Sequence, residues 1–253
     1  MIAVFVAMDP EMGALERRLA ARENGSAGGH RVVRGRCGGT EVLLCRTGIG
    51  ERARAVAAAV LDVVRPDAVL STGVAGALDP GLRAGDVVLC ETVVSGSGSR
   101  DQPVRSDAGL LEAAASAAAG LRVRRGRSLT VDAIVGDPAA KAELRLATGA
   151  DAVEMESYWV GLTAQERGLP FLAARAVLDA AADVLPELPG FVAPDGTRRT
   201  LALLPYLVAH PQRLPLLLRL ARSNRVALEA MGRFLVAIVG ATETPFVADA
   251  RPA

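Results

Sequence analysis

The feature that most restricts the fold is an alternation of short apolar runs with longer segments of helical periodicity. Apolar runs predict strands over 2–7, 68–72, 86–94 and 170–178, and weaker extended signals add 121–130 and 151–154. Helical spacing predicts helices over 11–22, 51–64, 107–119, 138–147 and 156–167. Continuous apolar strands are typical of a sheet that is covered on both faces. We therefore predict an α/β fold of three layers, α/β/α, with a mixed, mostly parallel sheet flanked by helices.

Length and a change of composition predict the domain organisation. A chain of 253 residues suits one α/β domain, or at most two small ones. Residues 31–36 and 41–46 flank a Gly-Gly-Thr turn and predict a hairpin. A Pro- and Gly-rich stretch at 184–196 precedes a leucine-rich segment with arginines at near-helical intervals. We predict an α/β domain over 1–183 and a C-terminal helical extension over 184–253 that packs on the same domain.

Composition excludes several classes of protein. With 51% hydrophobic residues and a mean hydropathy of +0.29, the chain is not disordered. A formal net charge of +1 lacks the basic excess of a nucleic-acid binder, so we expect no nucleic-acid partner. Lys141 is the only lysine among 29 basic residues, which we attribute to coding bias rather than to function.

Cysteine usage and hydropathy predict the cellular location of the protein. Cys37, Cys45 and Cys90 are an odd number of thiols without framework spacing, which favours a reducing cytosol. The opening apolar run, 1–6, is too short for the apolar region of a signal peptide. The sequence has no run of about eighteen apolar residues that would span a membrane. We therefore expect a cytoplasmic protein.

Two glycine-rich segments follow predicted strands. Gly48-Ile49-Gly50, with Ala53, has the shape of a dinucleotide fingerprint, but Asp67 precedes the next strand instead of ending it, which disfavours nicotinamide binding. These glycines either make a tight turn or direct their amides at an anion. The segment 72–76 (Thr-Gly-Val-Ala-Gly) is either a plain loop or a place where backbone approaches a ligand closely.

Four carboxylates are the remaining candidates for catalytic or binding residues. Glu11 follows the first predicted strand, Glu154 and Glu156 lie at a strand-to-helix switch, and Asp179 ends the most apolar strand. Each alone fits a helix cap or a solvated charge. Their shared place at strand carboxyl ends, where α/β sheets bind ligands, favours a common site. No Cys/His cluster has metal-ligand spacing, so we expect no metal, and the sequence has neither a nucleophile elbow nor a phosphate-binding P-loop.

Six segments in order resemble the nucleoside phosphorylase and nucleosidase superfamily, over roughly residues 1–183. They are Ala7-Met8-Asp9-Pro10-Glu11, Thr47-Gly48-Ile49-Gly50, Thr72-Gly73-Val74-Ala75-Gly76, Gly85-Asp86-Val87-Val88, Ala152-Val153-Glu154-Met155-Glu156-Ser157 and Arg175-Ala176-Val177-Leu178-Asp179. The resemblance implies an enzyme that cleaves a purine N-ribosyl bond without a cofactor, with phosphate possible as co-substrate.

The resemblance implies a role for each site residue. Asp179 matches the general acid at purine N7, and Glu11 matches the residue that orients the attacking water. Glu156 matches the residue that binds ribose hydroxyls, with Met155 packed under the sugar. Ile134 falls where relatives place an aromatic residue that stacks on the base. The remaining substrate-binding candidates are Glu154, Val135, Gly73, Val74 and Ala75, with Thr47 and Gly48 as a possible phosphate or water loop.

Departures from the family pattern favour hydrolysis over phosphorolysis. Val74 replaces a hydroxyl residue, Leu178 replaces the serine before the acid, and Ser71 stands where phosphorylases carry a phosphate-binding arginine. A phosphate dianion without cationic partners is poorly held. Val74, Ile134 and Leu178 also predict an apolar pocket, in which the purine is held by aliphatic side chains.

The tail resembles the hopanoid-biosynthesis branch of the superfamily. The segments that carry this resemblance are 185–186, 193–196, 210–215 and 218–222. It implies a lipid-linked nucleoside, adenosylhopane, as the substrate from which adenine is released. The alternatives are a nucleosidase for methylthioadenosine, S-adenosylhomocysteine or futalosine, and a non-catalytic nucleoside- or lipid-binding module. Family members commonly form homo-oligomers, and the tail either lines a substrate channel, touches an anionic membrane surface or is an ordinary helical cover.

Overall fold

The computed structural model describes residues 1–96, 102–186, 191–197 and 203–241. Its strands are Ile2–Val6 (β1), Ala20–Ala27 (β2), His30–Cys37 (β3), Thr40–Arg46 (β4), Ala68–Ala77 (β5), Val87–Ser95 (β6), Val104–Arg105 (β7), Val123–Thr130 (β8), Ala152–Glu154 (β9) and Phe171–Asp179 (β10). Its α-helices are Asp9–Glu16 (α1), Arg52–Val63 (α2), Ala108–Ala117 (α3), Pro138–Thr148 (α4), Ser157–Glu166 (α5), Leu203–Ala209 (α6) and Leu214–Ala241 (α7).

The strands form one mixed sheet that closes on itself at one end. Its order is β10-β6-β8-β9-β5-β1-β4-β3-β2, and β10 pairs with β5 as well as with β6. The strands β5, β10, β6, β8 and β9 therefore form a ring, from which β1, β4, β3 and β2 extend as an open sheet. Because β1, β4, β5 and β10 run parallel, their carboxyl ends lie at one edge.

Helices cover both faces of the open sheet, which confirms the predicted α/β class and its flanking helices. Along β1, Val4 packs in one core cluster with α1, α3 and α7, and Phe5 packs in a second cluster with α2 and α5. Successive side chains of a strand point to opposite faces, so burial of both faces requires the continuous apolar run that the sequence shows.

Two local predictions are wrong. The helix predicted over 11–22 ends at Glu16, and residues from Ala20 onward form β2, an edge strand whose side chains are exposed except Ala27. Because most of its residues are polar or small and exposed, this strand has no apolar pattern from which it could be predicted. The strand predicted over 68–72 continues to Ala77 through the glycine-rich segment, because β10 pairs with it along that length. The segment 72–76 is therefore strand rather than loop.

The C-terminal half of α7 is part of the main core. Met231, Phe234 and Leu235 are buried in the same cluster as β1. The N-terminal half is exposed, with Leu218 at 51% exposure. Within the described residues, the helices are too short or too polar to cross a membrane. Cys37, Cys45 and Cys90 are buried thiols.

Candidate active site

Glu11 is buried in the first turn of α1, at 1% exposure. Pro10 lies in the first turn of the helix, and Glu11 accepts hydrogen bonds from the backbone amides of Ala7 and Met8, both at 2.9 Å. Its other oxygen accepts from the amide of Val74 in β5, at 2.9 Å. Burial raises the pKa of Glu11, and these three donors oppose the shift. Three bonds leave one of about four acceptor sites on the carboxylate for a further donor such as water.

Gly73 leaves the space in which Glu11 approaches a buried arginine. It pairs in register with Arg175 of β10. A Cβ on Gly73 would lie 2.4 Å from Arg175 Nη1 and 2.7 Å from Glu11 Oε1. The backbone at Gly73 does not need a positive φ, so its role here is the close approach of these two side chains.

Arg175 joins three elements at the floor of this site. Its guanidinium donates to Ser157 at 2.9 Å and to Ser71 at 3.1 Å, and lies 2.5 Å from Glu154. Glu154 also accepts from the amide of Ser157 at 2.7 Å and from the hydroxyl of Thr130. Glu154 is thus engaged by protein donors at the start of α5, and contact with substrate stays a prediction for it.

Glu156 is also buried beside Arg175, 3.8 Å from the same guanidinium nitrogen that contacts Glu154. It accepts a hydrogen bond from the amide of Gly50 at 3.1 Å. Burial, together with the nearby carboxylates Glu154 and Glu11, raises the pKa of Glu156 to about 8, while Arg175 opposes the shift. Met155, between the two glutamates, is half-buried.

Asp179 is the last residue of β10 and is 2% exposed. It lies beside Gly76 of β5, whose missing Cβ would be 3.3 Å from Asp179 Oδ2. The ammonium of Lys141 contacts Oδ2 at 2.5 Å. Burial raises the pKa of the Asp179 carboxyl, and Lys141 opposes that shift.

Glu11 and Asp179 both lie against the carboxyl-terminal part of β5. Glu11 is held at Val74 and Asp179 at Gly76, so only a short stretch of β5, about 7 Å of rise, separates their contacts. β9 runs antiparallel to β5, so Glu154 and Glu156 approach from the opposite direction instead of ending at the same edge. The structure therefore brings together Glu11, Glu154, Glu156, Gly73 and Val74 around Arg175, and it places Asp179 two residues farther along β5, at Gly76.

The other candidate residues occupy different surroundings. Val74 and Val135 are half-buried and Ala75 is buried, whereas Ile134 is 77% exposed. Within the described part of the chain, Ile134 is therefore not enclosed in a base pocket. Thr47 is buried, and its hydroxyl lies 3.1 Å from the carbonyl of Val6 and 2.8 Å from that of Gly48. A phosphate or water contact by Thr47 or Gly48 stays a prediction.

A short segment from the tail, 191–197, lies across two of the site loops. The carbonyl of Pro194 accepts from the amide of Ile49 at 2.9 Å, and the carbonyl of Gly196 accepts from Asp9 at 3.2 Å. Gly48 has a φ of +80°, and a Cβ there would lie 2.7 Å from the Pro194 carbonyl oxygen. This segment thus packs against the loops that follow β1 and β4.

A surface cavity of about 180 Å³ opens next to this segment. Its lining includes Arg46, Thr47, Arg52 and Asp195, but none of Glu11, Glu156 and Asp179. We place the candidate site at the three carboxylates, because they are buried and have raised pKa values, and because Glu11 and Asp179 lie where β1 and β10 end. The described residues contain no group of three potential metal ligands.

Sequence reasoning missed two members of the site. Arg175 carried part of the family resemblance but had no role assigned, although an arginine inside an apolar strand signals a buried charge that needs partners. Lys141 was attributed to coding bias, yet it is fully buried against Asp179. Nothing local to Lys141 indicates this, because its partner lies 38 residues away in the chain.

Comparison with known proteins assigns the family. Residues 1–209 match the model of the Phosphorylase superfamily. The chain belongs to this superfamily. A superfamily relative, the 5'-methylthioadenosine/S-adenosylhomocysteine nucleosidase of Tolumonas auensis, is 32% identical over 204 residues, which cover 74% of this chain and 89% of the relative. The nucleosidase of the same name from Geobacillus kaustophilus is 34% identical over 199 residues, 72% of this chain and 85% of the relative.

Solved structures of other proteins have the same fold. The 5'-methylthioadenosine/S-adenosylhomocysteine nucleosidase of Neisseria meningitidis superposes with a TM-score of 0.75 at 24% identity, over 94% of this chain and 97% of that one. Futalosine hydrolase of Helicobacter pylori superposes with a TM-score of 0.74 at 18% identity, over 94% and 97%. The family model and the two relatives confirm the superfamily predicted from the sequence motifs, and the solved structures confirm its fold.

Proposed function

We propose that this chain is a nucleosidase that hydrolyses the N-glycosidic bond between a purine and ribose. The observation that carries the proposal is the pair of buried carboxylates that lie against β5, Glu11 of α1 at Val74 and Asp179 of β10 at Gly76. Superfamily membership and the nucleosidase relatives support the same reaction class.

Each of the three carboxylates has a separate role in the proposed reaction. Asp179 gives a proton to the purine, which leaves as the C1′–N9 bond breaks. Glu11 orients the water whose oxygen forms the new bond to C1′, and Glu156 holds the ribose hydroxyls through hydrogen bonds that strengthen in the transition state. The proton lost by water returns through solvent to Asp179, so the enzyme ends in its starting state.

Water is favoured over phosphate as the nucleophile. The buried arginine nearest Glu11 is Arg175, and its guanidinium is held by Ser71, Ser157 and Glu154. A phosphate dianion at Glu11 would need a cation that is free to bind it. The engagement of Arg175 by protein groups supports hydrolysis.

For the substrate we propose adenosylhopane, with adenine as the released base. Val74 and Leu178 are half-buried apolar side chains at the site, and the tail carries the resemblance to the hopanoid branch. Apolar burial contributes about 0.8 kcal/mol for each CH₂, so a triterpenoid substituent gains from such surroundings.

Methylthioadenosine and S-adenosylhomocysteine are the second candidate substrates. The observation that favours them is the name of the relatives that are 32% and 34% identical to this chain. Futalosine is a third, since a futalosine hydrolase shares the fold. For each of these substrates we propose the same roles for the three carboxylates.

Base release from a panel of nucleosides tests the proposal. The purified protein is incubated with adenosylhopane, methylthioadenosine, S-adenosylhomocysteine or futalosine, with and without phosphate, and the free base is quantified. We expect release that does not depend on phosphate and is fastest with adenosylhopane. Release that requires phosphate would establish a phosphorylase. Binding without release from any nucleoside would instead support a non-catalytic module.

We also propose peripheral contact of the tail with an anionic membrane. Leu214 and Leu218 are 46% and 51% exposed at the start of α7, where Arg213, Arg219 and Arg222 are exposed as well. Flotation with anionic and with neutral vesicles tests this, and Leu218→Glu should reduce binding to anionic vesicles. No flotation with anionic vesicles would exclude the contact.

A homo-oligomer is the assembly we propose in solution. Ile134 is 77% exposed although the family resemblance places it at the base, which fits a site completed by a second copy of the chain. Light scattering of the purified protein tests this, and a monomeric mass with full activity would exclude it.

A further inference from the structure

The single lysine of the chain is completely buried. Lys141 lies in α4 at 0% exposure, and its ammonium contacts Asp179 Oδ2 at 2.5 Å. It also donates to the carbonyl of Ala180 at 3.0 Å and to that of Asp183 at 3.1 Å. An ammonium has three donors, so these contacts use all of them.

The start of α4 fixes the place of this lysine. Asp137 caps the helix by accepting from the amide of Ala139 at 3.3 Å, and Pro138 occupies its first turn. Lys141 follows one turn later and points at the turn after β10. A compact ammonium suits three converging oxygens, whereas the planar fork of arginine does not. This distinction gives a physical reason for lysine in a chain whose other long basic residues are arginines.

We propose that Lys141 is a positioning residue of the reaction, which holds Oδ2 of Asp179 and the turn that follows it so that Oδ1 faces the leaving base. This inference rests on the proposed function of Asp179 as the acid. Lys141 does not itself touch the substrate. Its two carbonyl contacts fix the backbone of Ala180 and Asp183, so the carboxyl and the turn that carries it are held as one unit.

The charges around Asp179 predict how its titration depends on Lys141. Lys141 faces it from α4, and Asp183 faces it from the turn, where Arg219 of α7 pairs with Asp183 at 2.6 Å. The ammonium lowers the pKa of Asp179, whereas Asp183 raises it. Removal of the Lys141 charge should therefore raise the pKa of Asp179, and removal of the Asp183 charge should lower it.

The first test is the pH dependence of kcat in Lys141→Met and Asp183→Asn. Base release requires protonated Asp179, so activity falls as pH rises through its pKa. We expect Lys141→Met to move this alkaline limb to higher pH and Asp183→Asn to move it to lower pH. For Lys141→Met, kcat should fall about tenfold or more, with KM within about twofold. Glu143→Gln, on the exposed side of α4, is the matched control and should leave the profile unchanged.

An unmoved alkaline limb and unchanged kcat in folded Lys141→Met would overturn the proposal. So would a loss of activity that merely follows the fraction of unfolded protein.

The second test uses the fact that the chain has one lysine, and it does not depend on activity. Protein labelled with ¹⁵N-lysine should give a single side-chain ammonium signal that exchanges slowly with water. Asp179→Asn should shift this signal and speed its exchange, and Glu143→Gln should not. An unshifted signal in Asp179→Asn would overturn the pairing even if Lys141→Met does not fold. If the wild-type protein releases no base from any nucleoside, the proposed function fails, while the lysine signal still decides whether the pair exists.

Discussion

The guanidinium of Arg175 lies 2.5 Å from the carboxylate of Glu154, and both side chains are 1% exposed. Desolvation offsets much of the attraction in such a pair, but removal of one partner leaves an uncompensated buried charge. Arg175 also binds Ser71 and Ser157, so this ion pair connects β5, β9, β10 and α5 beneath the candidate site. The site and the stability of the fold therefore share the same groups.

Glu154→Gln should destabilise the protein by about 3–5 kcal/mol, because Arg175 loses its buried counter-charge. The free energy of unfolding in urea measures this. Glu166→Gln is the control, since its ion pair with Arg54 is 44% exposed at both residues. The control should change stability by less than about 1 kcal/mol. Equal effects of the two substitutions would show that the buried pair contributes no more than the exposed one.

Gly73→Ala should be strongly destabilising, by about 1–3 kcal/mol or more, since the new Cβ meets both Arg175 and Glu11. Gly120→Ala is the control, because a Cβ there meets nothing within 4 Å. Thermal unfolding of both variants measures the difference. A Gly73→Ala protein as stable as Gly120→Ala would contradict the close approach of the three groups.

Asp179→Asn should lower kcat by about 10²- to 10⁴-fold, the range typical of general acid–base catalysis. Nucleoside binding, measured by calorimetry, should weaken much less. Asp132→Asn, an exposed aspartate, should keep wild-type kcat. If Asp179→Asn retains full turnover, another group protonates the base.

Glu11→Gln should abolish most hydrolysis while nucleoside binding is retained, because only the orientation of water is lost. The amide also places an N–H₂ against backbone amides of Ala7, Met8 or Val74, which costs about 1–3 kcal/mol of stability. Single-turnover base release and the melting temperature measure the two effects separately. Rapid single turnover in folded Glu11→Gln would remove Glu11 from the mechanism.

Glu156 should make stability depend on pH. Its pKa is raised from 4.5 to about 8 in the folded protein, so between these values the folded state holds a proton that the unfolded state has lost. Stability from this group is therefore complete below about pH 4.5 and is lost as pH rises toward 8. Unfolding free energies at pH 5 and pH 8 should show Glu156→Gln gaining stability relative to wild type at the higher pH. A constant difference between the two proteins would contradict the raised pKa.

Local pattern was sufficient for most elements. The strand over 2–7 and the helices over 51–64 and 138–147 agree with β1, α2 and α4 to within about two residues, because burial of both sheet faces and of one helix face leaves a periodic trace. No such periodic pattern marks β2, because its side chains face solvent. None marks the second half of β5 either, where the glycines are required by neighbouring side chains rather than by a turn.

The sequence by itself determined the α/β class, most of its elements and the superfamily, and it predicted three carboxylates as site residues, since each depends on residues that are near one another in the chain. Only the tertiary structure decided the closed ring of strands and the partners of the buried charges. Arg175 reaches Ser71 across 104 residues, and Lys141 reaches Asp179 across 38. A buried charge is stable only beside its partner, and that partner is chosen by strand pairing and helix packing, which leave no local pattern.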